Sequence, residues 1–345
     1  MEKDVEKIIG FDALYNSMLK CQRGVMWKSS VAHFVLNGVA EIIRLEEELK
    51  SGTYRPRATK PFYVYLPKKR EVLGMAFRDR VFQRSLTDNV VYPELSKRFV
   101  RDNAACQTGK GTDFARNRLH CFLQRFYRKH KLNGYVLQCD IAGYYPNMRH
   151  SALENEFKAH LSPEVYDLVL KTFNCKFEGD RGYFPGSQIM QIAGAALLND
   201  MDHYIKERLR IKYYIRYMDD FILIHYDPEY LKMCQARIVE LLAKIGFELH
   251  PKKTKIYSIS QPIKFLGFYH RLTHTGKVIS LVDPKNVKRE RKKLYRMVQK
   301  AKRGEGGLSR KKIDECYQSW KAHASYGNSY KLLQRMDNYY EGLWK

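Results

Sequence analysis

Two stretches that lie far apart in the chain, residues 136–150 and 213–225, carry the clearest pattern of apolar and polar positions. The first is an apolar run that ends at Asp140 and is followed by two tyrosines. The second has two arms of aromatic and β-branched residues around the turn Tyr-Met-Asp-Asp at 217–220, a pattern that predicts a β-hairpin. Both stretches therefore deliver carboxylates at the ends of predicted strands.

The carboxylates of Asp140, Asp219 and Asp220 would repel one another if they met without a partner. Carboxylates together with substrate phosphates are the ligands by which proteins hold Mg²⁺. Two such ions about 3.5–4 Å apart activate a hydroxyl and stabilise the leaving oxygen in phosphoryl transfer. This chemistry is the first functional hypothesis that the residues support.

Helical spacing of apolar residues prevails in much of the remaining chain. In residues 30–50 the predicted buried face includes Val39, and in the helix that follows Thr112 the predicted solvent face includes Arg116. Strands are predicted at 60–66 and 263–269. The other predicted helices cover residues 77–99, 150–177, 187–210, 228–245, 285–300 and 309–323.

The net charge of the chain indicates what kind of partner it binds. Its 345 residues include 62 lysines and arginines against 37 aspartates and glutamates, a formal net charge of +25. That surplus of positive charge indicates a polyanionic binding partner. A surface charged for solubility, or a patch that binds a membrane surface, would also explain it. The 25 tyrosines and 17 phenylalanines favour nucleic acid, because rings stack on bases while cations pair with phosphates. After about residue 283 two basic helices around a glycine hinge at 304–307 predict a separate C-terminal lobe.

Features that the sequence lacks narrow the choice further. No run of about 18 apolar residues predicts a membrane span, and the charged start of the chain does not resemble a signal peptide. The seven cysteines are scattered without a C-x-x-C pair, so neither a zinc cluster nor a disulfide framework is predicted. These features favour a reducing cytoplasm.

The order of the motifs resembles that of a reverse transcriptase from about residue 35 to about residue 270. The resemblance rests on a first aspartate with aromatic residues four and five positions later, a glycine-bearing loop that enters a helix, Tyr-Met-Asp-Asp in a hairpin, and two later motifs. In chain order these features are Asp140 with Tyr144 and Tyr145, the loop at 179–186, residues 217–220, Gly-Phe…Lys-Lys-Thr at 246–254, and Phe-Leu-Gly-Phe at 265–268.

The resemblance implies an α+β fold shaped as a right hand, with fingers, a palm that carries an antiparallel sheet, and a helical thumb. Residues 1–112 would form the N-terminal region and fingers, and residues 150–188 the second part of the fingers. Residues 113–149 and 189–275 would form the two parts of the palm. Residues 276–345 would form the basic helical thumb.

The resemblance also implies a role for individual residues. Asp140, Asp219 and Asp220 would hold two Mg²⁺ ions, with Mn²⁺ as the alternative ion, and the backbone at Ile141 would complete the second site. Lys253 would lie near the pyrophosphate as a candidate general acid, and the segment 265–268 would be the primer grip.

Three further residues would contact the incoming nucleotide. Tyr145 would exclude the ribose 2′-OH, while Lys68 and Arg70 would hold the triphosphate. From its composition alone, the basic turn that carries Lys68 and Arg70 fits a solvated hairpin tip equally well. The implied ligands are therefore template RNA, a primer or cDNA strand, and dNTPs, with no membrane.

The stretch from Gly186 to Gln191 bears on the subclass. Most relatives have a proline where this chain has Gln191, and glutamine there resembles the error-prone enzymes of diversity-generating retroelements, which copy template adenines inaccurately. These enzymes work with an accessory variability protein, a small helical oligomer, so the resemblance extends to such a partner. Met190 stands where that subclass has serine, and Gln191 also fits an ordinary helix start. Retron, abortive-infection and group II intron-derived reverse transcriptases remain alternatives, as does a non-catalytic RNA-binding scaffold.

Overall fold

A computed structural model describes residues 2–65, 69–172, 176, 178–184 and 186–345. The first part of the chain is mainly helical and includes one β-ribbon. Its elements are α1 (Glu2–Ile9), α2 (Phe11–Cys21), α3 (Ser29–Leu36), α4 (Gly38–Lys50), β1 (Lys60–Val64), β2 (Arg70–Gly74), α5 (Phe77–Leu86) and α6 (Tyr92–Ser96). A π-helical turn, Thr87–Val91, joins α5 to α6.

The middle of the chain supplies the strands that carry the aspartates. Its elements are α7 (Thr112–His130), β3 (Tyr135–Asp140), α8 (Tyr144–Asn147), α9 (His150–His160), α10 (Pro163–Thr172), α11 (Gln188–Leu197), α12 (Asn199–His203), β4 (Tyr213–Tyr217) and β5 (Asp220–His225). A second π-helical turn, Tyr204–Arg208, follows α12.

The last part of the chain begins with a helix, continues in short strands and ends in three helices. Its elements are α13 (Pro228–Lys244), β6 (Lys255–Ser258), β7 (Ile263–Phe265), β8 (Phe268–Leu272), β9 (Val278–Val282), α14 (Pro284–Lys302), α15 (Arg310–Ala324) and α16 (Tyr330–Trp344). None of the helices that the structure describes is long and apolar enough to span a membrane.

The strands form three sheets. The ribbon β1–β2 is antiparallel, as are the pairs of the three-stranded sheet β7–β8–β9. The four-stranded sheet has the order β4–β5–β3–β6, so that β5 and β3 are neighbours in its centre. Helices thus alternate with antiparallel sheets, and the predicted α+β class is confirmed.

The chain divides into two compact units. The first consists of Met1–Gly111, Gln138–Ile222 and Lys232–Lys255, and the second of Thr112–Leu137, Leu223–Leu231 and Ile256–Lys345. All three predicted aspartates belong to the first unit. The second unit has its own core, in which side chains of β8, β9 and the three C-terminal helices are buried together.

The predicted helix over residues 30–50 is in fact two helices that meet at Asn37. The side-chain amide of Asn37 donates a hydrogen bond to the backbone carbonyl of His33. The backbone carbonyl of Asn37 accepts a hydrogen bond from the N–H of Glu41. This break shifts the apolar face of α4, so Ile42 is buried while Val39 is 55% exposed. The predicted burial of Val39 is therefore wrong.

Arg116 is a second exception, because the structure buries it where a solvent-facing side chain was predicted. Only 2% of the residue is exposed, and its guanidinium lies 4.0 Å from the ring centroid of Tyr326 and 4.8 Å from that of Phe268. Asp113 pairs with the same guanidinium. Aromatic faces and a carboxylate together offset the burial of this charge.

The strand predicted at 263–269 is a tight hairpin instead. Leu266 and Gly267 have φ of +48° and +87°, so the chain reverses between them and Phe265 pairs with Phe268. The glycine accommodates the left-handed backbone without strain. The predicted primer-grip segment is thus a turn between β7 and β8.

The helices predicted at 150–177 and 187–210 are each divided as well. The first is divided before Pro163, a residue favoured at a helix start.

Candidate active site

The end of β3 and the turn between β4 and β5 meet in the first unit. The backbone N–H of Ile141 donates a hydrogen bond to the carbonyl of Asp219, with 3.2 Å between nitrogen and oxygen. Asp140 is the last residue of β3 and Asp220 the first of β5, and these two strands are neighbours in the sheet. The structure therefore brings the three predicted carboxylates to one end of the sheet.

The three carboxylates act on one another electrostatically. Burial raises the pKa of Asp219, and the charge of Asp140 acts in the same direction. Burial also raises the pKa of Asp220 to about 7; the charges of Asp140 and Asp219 add to this effect, while a hydrogen bond from Gln138 opposes it. Acids whose pKa values are raised by burial and by each other are typical of functional sites.

Asp140 has a cationic partner. The ammonium of Lys253 lies 2.7 Å from Oδ2 of Asp140. The loop that carries this lysine is joined to β3, since the N–H of His250 donates to the carbonyl of Asp140 at 2.7 Å. Lys253 was predicted near the pyrophosphate, and its ammonium in the structure touches the first carboxylate of the site.

One carboxylate oxygen at the site lacks the partner that a divalent cation would supply. Oδ1 of Asp220 is buried without a hydrogen-bond partner among the residues that the structure describes, and a buried oxygen of this kind is costly unless a ligand satisfies it. As they stand, the described side chains contain no group of three or more His, Cys, Asp or Glu gathered closely enough to hold a metal ion. A cation that bound Oδ2 of Asp140 would displace the ammonium of Lys253.

The two tyrosines that follow β3 have different surroundings. Tyr144 is only 3% exposed; its hydroxyl donates to a backbone carbonyl of α11, and its ring packs on Phe247 with 4.9 Å between centroids. Tyr145 is half-buried. Burial raises the pKa of Tyr145, and the charges of Cys106 and Asp219 raise it further.

Arg70 approaches the same place from the ribbon. It begins β2 and is exposed, yet its charge lowers the pKa of both Asp219 and Tyr145. Arg70 therefore acts electrostatically on one of the three aspartates, and its role with the triphosphate stays a prediction. Lys68, the other residue of that prediction, lies outside the described residues.

Gly186 and Gln191 lie on either side of the start of α11. Gly186 has φ of +131°, and a Cβ there would be 3.1 Å from the carbonyl oxygen of Leu73, so the loop passes too close to β2 for a larger residue. Ser187 caps the helix, accepting a hydrogen bond from the N–H of Met190 at 3.4 Å. Gln191 is the fourth residue of the helix, and its side chain is exposed.

The sequence did not predict a buried ion pair that contacts the turn at residues 217–220. Arg216 and Asp202 are both 0% exposed, and Nε of Arg216 lies 2.7 Å from Oδ1 of Asp202. The hydroxyl of Tyr214 donates to the same oxygen. The guanidinium also donates to the carbonyls of Met218 at 3.1 Å and Ala195 at 3.0 Å. Arg216 therefore connects α11, α12 and the turn that carries Asp219.

The turn is also contacted by a second loop, residues 102–111. The N–H of Arg216 donates to the carbonyl of Asp102 at 3.0 Å, and the N–H of Ala104 donates to the carbonyl of Arg216 at 2.9 Å. The thiol of Cys106 lies 3.7 Å from the sulfur of Met218, which has φ of +56°. The loop and the guanidinium thus hold a strained residue directly before Asp219.

Comparison with known proteins identifies the family of the chain. The model of the reverse transcriptase (RNA-dependent DNA polymerase) family matches residues 68–270, more than half of the chain. A segment of 107 residues is 32% identical to replicase polyprotein 1ab of Equine arteritis virus (strain Bucyrus), which corresponds to 31% of this chain and 3% of that polyprotein. The match to the family model includes all three aspartates of the site.

Two solved telomerase structures are similar in fold. Telomerase from Candida tropicalis, truncated from the C-terminal domain, is 16% identical over 72% of this chain, with a TM-score of 0.50. Telomerase from Candida albicans, solved with a fragment of telomeric RNA, is 14% identical over 86% of this chain, also with a TM-score of 0.50. The chain spans 60% of each telomerase chain. The predicted polymerase fold is confirmed by this similarity, and by its match to the family model the chain belongs to the reverse transcriptase family of RNA-dependent DNA polymerases.

Proposed function

We propose that the protein copies an RNA template into DNA and that Asp140, Asp219 and Asp220 carry the reaction. The observation behind this proposal is the hydrogen bond from Ile141 to Asp219, which joins the ends of two strands where three carboxylates interact. Extension of a primed RNA template with dNTPs tests it directly, and a protein without this activity would be the RNA-binding scaffold instead.

The three aspartates, with the backbone at Ile141, would hold two Mg²⁺ or Mn²⁺ ions. When bound, such ions lower the pKa of the attacking 3′-hydroxyl and stabilise the leaving oxygen. Lys253 carries a positive charge at the same carboxylate, where it would neutralise the pyrophosphate or donate a proton to it. Arg70, whose charge already acts on Asp219, would hold the triphosphate of the incoming dNTP.

Tyr145 is expected to select the sugar of the incoming nucleotide. Tyr145→Ala removes the ring that would exclude the 2′-OH, so the preference for dNTPs over rNTPs should fall by roughly 10- to 200-fold, the range of steric discrimination in pockets. The ratio of the kcat/KM values for matched dNTP and rNTP measures the effect. Tyr145→Phe keeps the ring and should retain the preference; unchanged discrimination in the alanine variant would exclude Tyr145 as the gate.

We propose further that the enzyme is the error-prone polymerase of a diversity-generating retroelement and that it works with a small helical accessory protein. Support for this subclass comes from Gln191, which stands in the first turn of α11 where most relatives have proline. A proline in a first turn pre-sets φ and has no N–H, whereas glutamine adds a flexible polar side chain. That side chain is exposed and free to contact nucleic acid.

Errors opposite template adenine are therefore expected to exceed those opposite the other three bases by severalfold. Gln191→Pro should lower the adenine errors by replacing the flexible amide with the residue that most relatives have; because a proline at the fourth position of α11 also removes a backbone donor, its melting temperature is measured alongside. Gln191→Ala is the matched control, because it removes the amide without changing the backbone. Sequencing the cDNA made by all three proteins from one template measures the spectrum. An even spectrum in the wild type would favour the retron, abortive-infection or group II intron-derived alternatives.

A further inference from the structure

The second unit contains a large groove between α14, α16 and the strands β8 and β9. Its volume is about 1950 Å³, roughly twice the upper end of the 300–1,000 Å³ range of small-molecule pockets. Five cationic side chains of α14 line it, together with Lys331 and Arg335 of α16. The five on α14 are Lys285, Lys288, Arg291, Lys292 and Arg296. A space of this size and charge fits a stretch of polyanion better than a single small ligand.

These cations have few partners of their own. In the part of the chain that the structure describes, Lys285, Lys288, Lys292 and Arg296 form no ion pair, and all four are exposed. The acidic residue of the groove, Asp283, pairs with Lys264 at 2.6 Å and accepts the N–H of Lys285 at the start of α14. The repulsion among the lysines and arginines is therefore left for a bound anion to offset.

Exposed tyrosines are interleaved with the cations. Tyr295 of α14 is 51% exposed and Tyr330 of α16 is 74% exposed, and both line the groove. The hydroxyl of Tyr330 accepts a hydrogen bond from Gln334 at 3.0 Å, which orients the ring. A third tyrosine of the groove, Tyr339, already forms a cation–π contact within the protein: the guanidinium of Arg291 lies 4.2 Å from the centroid of its ring. Rings beside unpaired cations are the combination that binds single-stranded nucleic acid.

We propose that this groove is a binding site for unpaired RNA, made entirely by the second unit and additional to the catalytic carboxylates of the first. Exposed rings have bases to stack on only if the strand is unpaired, because a duplex covers the faces of its bases. The proposal does not depend on the polymerase activity.

Fluorescence anisotropy with the full-length protein tests the site, using a labelled, unstructured RNA of about 12 nucleotides, within the site sizes known for single-strand binders. The double variant Tyr295→Ala/Tyr330→Ala should bind it at least about tenfold more weakly, since each stacked base contributes measurably to affinity. Tyr295→Phe/Tyr330→Phe keeps both rings and should bind as the wild type does. Equal affinity of the alanine and wild-type proteins would overturn the proposal.

The cations are tested through salt dependence. Lys288→Gln/Lys292→Gln should reduce the slope of log affinity against log salt by about 1.4, or about 0.7 for each phosphate contact with a single strand. Lys300→Gln/Lys302→Gln removes the same charge from the same helix outside the groove, from two residues that do not line it. An equal change of slope in this control would mean that the groove has no special role.

Two further measurements separate this site from other uses of the groove. The Tyr295→Ala/Tyr330→Ala protein should extend a short primed template at the wild-type rate; a loss parallel to the loss of RNA affinity would assign the groove to the primer–template instead. Polyglutamate or duplex RNA of equal charge should compete poorly with the labelled strand, and effective competition by either would contradict binding of unpaired RNA. Failure of the wild type to extend any primer would count against the polymerase proposal alone.

Discussion

Asp219→Asn is expected to reduce DNA synthesis on a primed RNA template by roughly a hundredfold to a thousandfold or more, since metal ions contribute several kcal/mol and each 1.36 kcal/mol is tenfold in rate. The substitution is nearly isosteric but removes a charge that would hold the ions. Asp220→Asn should act in the same direction. Extension rates under single-turnover conditions measure the loss.

The same substitutions are not expected to reduce the stability of the fold. Asp219 and Asp220 are carboxylates whose burial and mutual repulsion raise their pKa, so neutralising either one without metal should leave the melting temperature unchanged or raise it. Asp167→Asn, on the exposed face of α10, makes the same chemical change away from the site and should alter neither property. Near-wild-type extension by Asp219→Asn would refute the assignment of this aspartate.

Arg216→Met is expected to lower the free energy of unfolding by about 3–5 kcal/mol, because it leaves the carboxylate of Asp202 buried without its cationic partner. Denaturant unfolding measures this change. The exposed pair Arg237–Glu240, with side chains 53% and 58% exposed, provides the control. Arg237→Met should cost no more than about 1 kcal/mol.

A triple variant separates support of the fold from support of the active site. Replacing the network by apolar residues of similar volume, with Asp202→Leu, Tyr214→Phe and Arg216→Met together, leaves no buried charge and should recover most of the lost stability. Primer extension should nevertheless be slower than in the wild type, because the carbonyl of Met218 has lost the donor that holds the turn before Asp219. A triple variant that is both stable and fully active would show that the network does not position the turn.

The sequence predicted well where the signal is local. The hairpin around Tyr-Met-Asp-Asp and the strand that ends at Asp140 were both predicted from alternation and turn residues, and both are present. The helix predicted from residue 77 is present as α5, whose Phe77, Val81 and Phe82 are at 7% exposure or less. In each case neighbouring residues determine the structure, because the spacing of apolar residues along the helix or strand shows which of its faces is apolar.

The sequence predicted poorly where a residue depends on elements far away in the chain. Arg116 follows the pattern of a solvent-facing residue, and the rings of Tyr326 and Phe268, far away in the chain, help to explain its burial. Arg216 stands in an arm whose other positions are apolar or aromatic, which was the one available signal of a buried charge. Its partner Asp202 lies on α12, which no local pattern connects to β4.

The residue types and the order of the motifs thus identified the family and predicted the three aspartates as its candidate site, because both depend on the kinds of side chain and their order along the chain. Tertiary structure decided which charges are paired, that Lys253 touches Asp140, and that Tyr145 rather than Tyr144 lies open at the site. The physical reason is that a buried charge is stable only beside a partner, and the partner is supplied by whichever strands and helices pack together.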